Sequence, residues 1–321
     1  MRTLFQTCLL LLLGTSGLSG SDHLQAFLNS LMRGRQGIVL VANPETGEVL
    51  AAWHPQAAVS RAYPVGSTAK IVASIALLEE GGIHPGERIV CRRVPEVLGE
   101  GYHCSHPFVP APFDLSSALA YSCNYYFAAT SVRLSTSDLR HWYAVLGFGT
   151  PPGAGGGPSA RGEVRIVDTP EGRARAALGE GGILATPAQV LMAYSGVATR
   201  GKVFRLGFPG RGLRPSPRVL RRLQLRPETF ETLDSGLEEC VEEGMCKGAK
   251  VPGVRVAGKT GTATALDGSR KTHAWFAGFA PVESPEIALV IFLERGTGAR
   301  DAAPLAGKIF ADYFARQHQR P

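Results

Sequence analysis

The stretch VAGKTGTATALDGSRKTHAWFAGFAP, residues 256–281, decides how the chain folds. β-Branched and aromatic residues gather on both sides of Asp267-Gly268, a pair suited to the centre of a hairpin turn. Strands are expected over 254–260 and 272–280, and again over 287–293. Two further strand-like runs, 37–42 and 48–53, lie near the N-terminus. Asn43-Pro44-Glu45-Thr46-Gly47 joins them with turn chemistry, so they form a second hairpin. Strands at both ends with helices between them imply one sheet built from both termini and packed by helices, an α+β plan.

The intervening helices announce themselves by period and punctuation. Apolar residues recur at helical spacing over 23–33 and over 67–80; Pro64 and Gly66 precede the second helix, and Gly81-Gly82 ends it. Residues 116–132 read as another helical region. Thr186-Pro187 is an N-cap followed by a first-turn proline, opening a helix over 186–199. Amphipathic helices are expected over 227–243 and 304–317. Residues 81–112 are loop-rich, and 153–158 are nearly all Gly and Pro. No internal repeat is visible.

The chain has 321 residues, 44% apolar and 19% charged, enough for one large domain with a sizeable core. Its net charge of +7 comes mostly from Arg and is consistent with a solvated surface or an anionic polymer or membrane nearby. Arg211, Arg214, Arg218, Arg221, Arg222 and Arg226 cluster, but Pro209, Pro215, Pro217 and Pro227 break that stretch into loop. With no compact basic helix or aromatic-interleaved stripe, no nucleic-acid partner is expected. Arg2, the apolar run Leu9–Leu13 and the small residues Gly17-Leu18-Ser19 resemble an export signal. The division expected is therefore a signal peptide over 1–19 and one domain over 20–321, exported to the periplasm or the outer face of the cytoplasmic membrane. An uncleaved anchor is the alternative, because the charged n-region is thin.

Three short motifs carry the chemistry: Ser67-Thr68-Ala69-Lys70, Ser122-Cys123-Asn124 and Lys259-Thr260-Gly261-Thr262. With 20 Ser, seven Lys and three Asn in the chain, chance supplies about 0.4 copies of S-x-x-K, about 0.2 of S-x-N and about 0.05 of K-T-G. Each is weak alone, and the product of roughly 0.004 makes the set strong. Ser67 needs a base to become a nucleophile, and Lys70 at i+3 puts an amine on the same helix face. Burial and a second cation, for which Lys259 is the candidate, would both lower the Lys70 pKa far enough for that work. Ser122 and Asn124, two apart, can face one site only from a turn or an irregular helix start. There the hydroxyl can relay a proton to a leaving amine, while the amide holds Lys70 and a substrate carbonyl. Lys259 with the Thr260 and Thr262 hydroxyls would bind a carboxylate. Gly261 in mid-strand marks a close backbone approach by a ligand. The N–H groups of Ser67 and Thr262 would form an oxyanion hole. No G-x-S-x-G elbow occurs. His273, between strand residues, reads as structural.

An oxidising compartment permits disulfides. Cys91 and Cys104 are spaced to close a short loop, as are Cys240 and Cys246. The rival for the first pair is zinc held by Cys91, His103, Cys104 and His106, but the paired C-x₂-C of common zinc modules is missing. No metal and no cofactor are therefore expected. Cys123 reads as a buried small filler, since no His is nearby in sequence to activate it.

The three motifs in this order resemble the penicillin-binding protein transpeptidase domain, part of the serine acyltransferase superfamily shared with serine β-lactamases. Tyr63-Pro64-Val65-Gly66-Ser67-Thr68-Ala69-Lys70 is similar to that family's nucleophile block, and LAYSCNYYF (119–127) to its Ser-x-Asn segment. Residues 179–201 resemble the Gly-rich, Thr-Pro-containing segment between the second and third motifs, and 256–281 the third-motif hairpin. The likeness runs from about Gly37 to the C-terminus. It implies a five-stranded antiparallel sheet flanked by helices, with a mostly helical second lobe and the site between them. It implies attack by Ser67 on the acyl-D-Ala-D-Ala end of a peptidoglycan stem peptide. The acyl-enzyme then passes to an amine, as in a transpeptidase, or to water, as in a carboxypeptidase; β-lactams acylate the same serine. Val65 and Ala69 replace the commoner Pro and Phe, and the 91–104 cysteine loop is unusual. No glycosyltransferase segment or long pedestal is expected in these residues, which leaves protein partners and the acceptor amine open. The competing readings are a class D-like β-lactamase with a modified lysine at 70, a sensor acylated once, and a catalytically silent wall-binding subunit. A class A-like enzyme lacks its Glu-x-x-Leu-Asn stretch here.

Overall fold

The computed structural model describes residues 20–109, 111–153, 157–208 and 217–317. The expected signal peptide and its cleavage site, the centre of the glycine loop, and Arg211 and Arg214 lie outside the described residues. The order begins α1 (Gly20–Met32), β1 (Gly37–Ala42), β2 (Val49–Trp53), α2 (Pro55–Ser60) and the short β3 (Tyr63–Pro64). A 3-10 turn, Gly66–Ala69, runs straight into α3 (Lys70–Glu79). Next come α4 (Leu115–Ala120), α5 (Asn124–Ser131), α6 (Thr136–Leu146), β4 (Glu163–Val164), α7 (Pro170–Ala177), β5 (Ile183–Ala185) and α8 (Pro187–Ala198). They are followed by β6 (Lys202–Phe204), β7 (Val219–Arg222), α9 (Pro227–Glu242), β8 (Ala257–Thr264), β9 (Thr272–Ala280), β10 (Ile287–Leu293) and α10 (Ala303–Gln317).

Five strands form one sheet in the order β2-β1-β10-β9-β8, antiparallel throughout. The last strand in sequence sits at its centre: β10 pairs β1, with Ile38 opposite Phe292. This is the α+β plan expected from the termini, with the mostly helical lobe supplied by the middle of the chain. β10 reads Ile-Ala-Leu-Val-Ile-Phe-Leu without a polar residue, because both faces of the sheet are covered. Alternation sorts its side chains: Val290 and Phe292 enter the core beneath the helical lobe, while Leu289 and Ile291 enter a second core. That second core is closed by Leu24 and Leu28 of α1 and by Ile309, Phe310 and Phe314 of α10. Each such side chain, fully buried, contributes roughly 1.5–3 kcal/mol. No helix among the described residues is long and apolar enough to cross a membrane.

Several boundaries differ from expectation. The helix expected over 67–80 begins as a 3-10 turn, so Ser67 precedes α3 proper. The region 116–132 breaks at Tyr121–Cys123, between α4 and α5. Asp114 and Ser117 cap the start of α4 reciprocally, and Cys123 caps α5. The arginine stretch is not all loop: Arg221 and Arg222 lie in β7, where Val203 and Lys202 of β6 pair with them. α6 and α7 were not anticipated. Ser135 and Asp138 form a capping box at the start of α6, a signal present in the sequence.

Candidate active site

β8 is the edge strand of the sheet, and the 3-10 turn carrying Ser67 packs on it. At 3.0 residues per turn, positions i and i+3 of such a turn eclipse, which stacks the side chains of Ser67 and Lys70 more directly than an α-helix would. The Lys70 N–H donates to the Ser67 carbonyl and closes the turn. Four hydrogen bonds pin it, one internal and three to other parts of the fold. The Thr68 hydroxyl donates to Val65 O (2.8 Å), and Tyr194 of α8 donates from its phenol to Thr68 O (2.9 Å). The Trp275 indole on β9 donates to Pro64 O (2.9 Å), and Gly66 N to Gly179 O (3.2 Å). Gly261 permits the contact with β8, since a Cβ there would stand 2.9 Å from Val65 O and 3.0 Å from Thr68 Cγ2. The close approach expected at Gly261 is therefore made by the turn of Ser67, the chain's own backbone, and not by a ligand.

Lys70 is buried, with 0% of its surface exposed. Its ammonium has three donors, and three acceptors meet it: Ser122 O at 2.7 Å, Ser122 Oγ at 3.1 Å and Asn124 Oδ1 at 2.7 Å. The Phe127 ring lies 5.4 Å from Nζ. Burial lowers the Lys70 pKa to about 8, against the opposing pull of negative charge at Cys123, Cys104 and Glu180. Ser122 reaches this position through a left-handed backbone, φ +57°. That conformation, between α4 and α5, lets two residues only two apart meet one amine, as the spacing argument required.

Lys259 is also fully buried, and its Nζ donates to Thr260 O at 3.1 Å. Burial first, and then the charge of Lys70, push its pKa well below the ordinary lysine value. Burial, one of the two causes expected at Lys70, is the largest there, and the charge of Lys70 in turn lowers the Lys259 pKa. Thr260 and Thr262 also divide. Thr260 is buried, with its hydroxyl 3.5 Å from Met245 O, whereas Thr262 is exposed. Gly298 N–H donates to Thr262 Oγ1 at 3.1 Å, which leaves that hydroxyl's own proton free for an anion.

The donor side of the Asn124 amide meets the loop rather than the cleft. Nδ2 donates to Tyr102 O at 3.1 Å and lies 3.5 Å from His103 O, so a substrate carbonyl competes with the loop there. Four residues absent from the motifs join this neighbourhood: Tyr102, Glu171, Arg175 and Glu180. The Arg175 guanidinium stacks on the Tyr102 ring, hydrogen-bonds its hydroxyl, and pairs with Glu171. Glu180, next to the Gly179 that holds the nucleophile turn, has a carboxyl raised by burial to about 7, with Arg175 and Lys70 pulling it down. Only its place in a Gly-Glu-Gly-Gly run distinguished it in the sequence. His273 is structural, with Nδ1 3.0 Å from Glu294 O and its ring against Phe292 and Tyr63.

The cysteines divide in two. Cys240 and Cys246 form the expected disulfide at the end of α9. Cys91 and Cys104 do not: their sulfurs are 3.7 Å apart, far beyond the ~2.05 Å of a covalent bond. A third thiol and an imidazole lie beside them. Cys123 Sγ lies 3.8 Å from Cys104 Sγ, and His106 Nε2 lies 3.7 Å from Cys91 Sγ. Cys123 is thus one of four clustered heteroatoms and not a simple apolar filler. His103, the other histidine weighed for this loop, is exposed and turned toward Glu100 O.

A family model of the penicillin binding protein transpeptidase domain matches residues 37–315. The chain is similar to peptidoglycan D,D-transpeptidase MrdA of Acinetobacter baumannii, 24% identical over 370 residues, covering 93% of this chain and 53% of that protein. It is also similar to peptidoglycan D,D-transpeptidase PbpA of Mycolicibacterium smegmatis, 28% identical over 270 residues, covering 77% of this chain and 54% of that protein. The chain thus spans about half the length of the curated relatives it matches. Among solved structures, the D,D-transpeptidase domain of a peptidoglycan glycosyltransferase from Eggerthella lenta superposes with a TM-score of 0.78 at 21% identity, covering 93% of this chain and 82% of that one.

Proposed function

The chain belongs to the penicillin-binding protein transpeptidase family, and on that premise we propose that it is a serine D,D-acyltransferase acting on the D-Ala-D-Ala ends of peptidoglycan stem peptides. The observation that carries this reading is Lys70: a buried amine with a pKa near 8, held by Ser122 and Asn124 one 3-10 turn beyond Ser67. A lysine at its ordinary pKa is protonated and cannot act as a base. This one is neutral in a useful fraction of molecules near neutral pH.

The steps follow from the residues present. Neutral Lys70 takes the Ser67 proton as Oγ bonds to the carbonyl carbon of the penultimate D-Ala. The oxyanion that forms is held by the Ser67 and Thr262 N–H groups. The Ser122 hydroxyl, 3.1 Å from Lys70 Nζ, passes that proton to the departing amine, and D-Ala leaves. The Thr262 hydroxyl takes the terminal carboxylate, whose negative charge favours the protonated form of the buried Lys259. An amine or water then releases the acyl group by the same path in reverse. A β-lactam enters the first half and stays on Ser67. Such a substrate places the domain outside the cytoplasm, in keeping with the leader-like residues 1–19.

Fluorescent penicillin, followed by label loss and by D-Ala release from a synthetic pentapeptide, tests this reading. A stable adduct on Ser67 together with D-Ala release supports it. Turnover of the label within minutes identifies a β-lactamase instead, and a stable adduct without release identifies a sensor. No adduct at all refutes the covalent mechanism.

A further inference from the structure

We propose that Glu180 receives the acyl acceptor as an alkylammonium ion, binding its charge and taking one proton so that a neutral amine attacks the Ser67 ester. Two backbone contacts put this residue beside the nucleophile. Gly66 N donates to Gly179 O at 3.2 Å, and standard peptide dimensions then hold the Glu180 Cα within roughly 6 Å of Gly66 N. Gly179 permits that approach, since a Cβ there would collide with Gly66 O and stand 2.9 Å from Ala69 Cβ. On the other side, Glu180 N donates to Arg175 O at 2.9 Å, at the end of α7. The residue is thus held between the Ser67 turn and α7 before any substrate arrives.

Its carboxylate is left open to a cation. The two positive charges that act on it, Arg175 and Lys70, are both committed to other acceptors. Arg175 donates to Glu171 at 2.7 and 2.9 Å and to the Tyr102 hydroxyl. The three donors of Lys70 meet Ser122 and Asn124. Among the described residues the Glu180 carboxylate makes no hydrogen bond or ion pair. A desolvated carboxylate without a partner is costly, and one beside a nucleophile marks a functional group. It is half-buried, so a bound molecule can still reach it. Lys70, Lys259 and Arg175 would repel an incoming ammonium, and Glu171 is already paired with Arg175. Glu180 supplies the complementary charge.

The protons balance. The ammonium gives one proton to the Glu180 carboxylate, which leaves a carboxylic acid and a neutral amine. That amine bonds to the carbonyl carbon of the Ser67 ester. Its second proton passes through Ser122 Oγ and Lys70 to Ser67 Oγ as the ester bond breaks. Glu180 then returns its proton to solvent. Its acidity fits the task. An ordinary carboxylate near 4.3 is a weaker base than an alkylamine near 10.4 by about a millionfold; at about 7, where burial holds Glu180, the gap is roughly a few thousandfold. This inference rests on the acyl-transfer reading above and deepens it by naming the acceptor class, a primary alkylamine that is cationic in solution.

The test compares the full chain with its Glu180→Gln variant, an isosteric change. The donor is a synthetic pentapeptide, and the acceptors at pH 8 are Nα-acetyl-lysine, which is cationic, and hydroxylamine, which is already neutral. Mass spectrometry gives the share of acyl groups passed to each acceptor and to water. Glu180→Gln should acylate with fluorescent penicillin up to ~2-fold faster, which also shows that it folds. Its transfer to Nα-acetyl-lysine should fall at least ~10-fold, with less than ~2-fold change for hydroxylamine. Equal Nα-acetyl-lysine shares in the two proteins, including none in either, overturn the assignment. So does a parallel loss with hydroxylamine, which marks a general defect in deacylation. Loss of hydrolysis alone assigns Glu180 to water and overturns the amine role. Should Glu180→Gln fail to fold, the wild type decides. Between pH 7 and 9 its Nα-acetyl-lysine share relative to hydroxylamine should rise no more than ~2-fold, as Glu180 completes its ionisation. A rise of ~100-fold, the signature of free amine attacking from solution, overturns the proposal. Absence of D-Ala release from the wild type defeats the acyl-transfer reading itself, and this inference with it.

Discussion

The rate of Ser67 acylation should report the titration of Lys70. The second-order constant for reaction with a β-lactam follows the free protein, so its pH dependence gives the pKa of the unliganded base. With that pKa near 8, the neutral fraction is ~0.01 at pH 6, ~0.1 at pH 7, ~0.5 at pH 8 and ~0.9 at pH 9. The sign follows from the chemistry: the amine must be neutral to accept a proton, so activity rises with pH and is lost as Lys70 becomes protonated. The rate should climb ~10-fold from pH 6 to 7, ~5-fold from 7 to 8, and less than ~2-fold from 8 to 9. Stopped-flow measurement with a chromogenic cephalosporin across this range, at constant ionic strength, is the assay. An ordinary lysine at ~10.4 would instead give an unbroken tenfold rise per unit through pH 9. That result, or a flat profile between pH 6 and 8, would refute the argument that burial tunes Lys70 into a base.

Three perturbations follow from the same geometry. Glu180→Gln removes a charge that raises the Lys70 pKa; because that carboxyl titrates near 7, acylation should rise up to roughly 2-fold between pH 7 and 8, with little change at pH 6, and a fall between pH 7 and 8 would contradict the electrostatics. Gly261→Ala places a methyl 2.9 Å from Val65 O. Either β8 or the Ser67 turn must shift, with a cost of ~1–3 kcal/mol in a denaturant melt and at least ~100-fold slower acylation. Tyr194→Phe leaves the buried Thr68 carbonyl without its donor, which should cost ~1–3 kcal/mol of stability by urea titration.

Much of the fold was legible because its signals are local. The central strand could be read from an unbroken apolar run, 287–293, and the terminal hairpins from turn residues at 43–47 and 267–268. Thr186-Pro187 announced α8, which opens with a capping box as observed. The grouping of Lys70, Ser122 and Asn124 was legible too, since motif spacing constrains which side chains can share a face. Less visible were elements whose stability is tertiary. α7 has the low-hydrophobicity sequence Pro-Glu-Gly-Arg-Ala-Arg-Ala-Ala, and β3 and β5 are two and three residues long and exist by pairing with each other.

Sequence alone determined the sheet, most of the helices and the candidates for the reacting groups, because periodicity, punctuation and the scarcity of lysine and asparagine are all written along the chain. Tertiary structure decided the properties of those groups. That Lys70 is desolvated enough to titrate near 8, that Glu180 stands within its field, and that Gly261 yields to the chain's own turn depend on what packs around each residue. The fate of the cysteines was decided there as well. Spacing made Cys91 and Cys104 a pair, but proximity in space added Cys123 and His106 and turned an expected loop-closing bridge into a cluster of three thiols and an imidazole. Neighbours along a chain are fixed by covalent bonds, whereas electrostatics and coordination depend on distances of a few ångströms that only the folded packing sets.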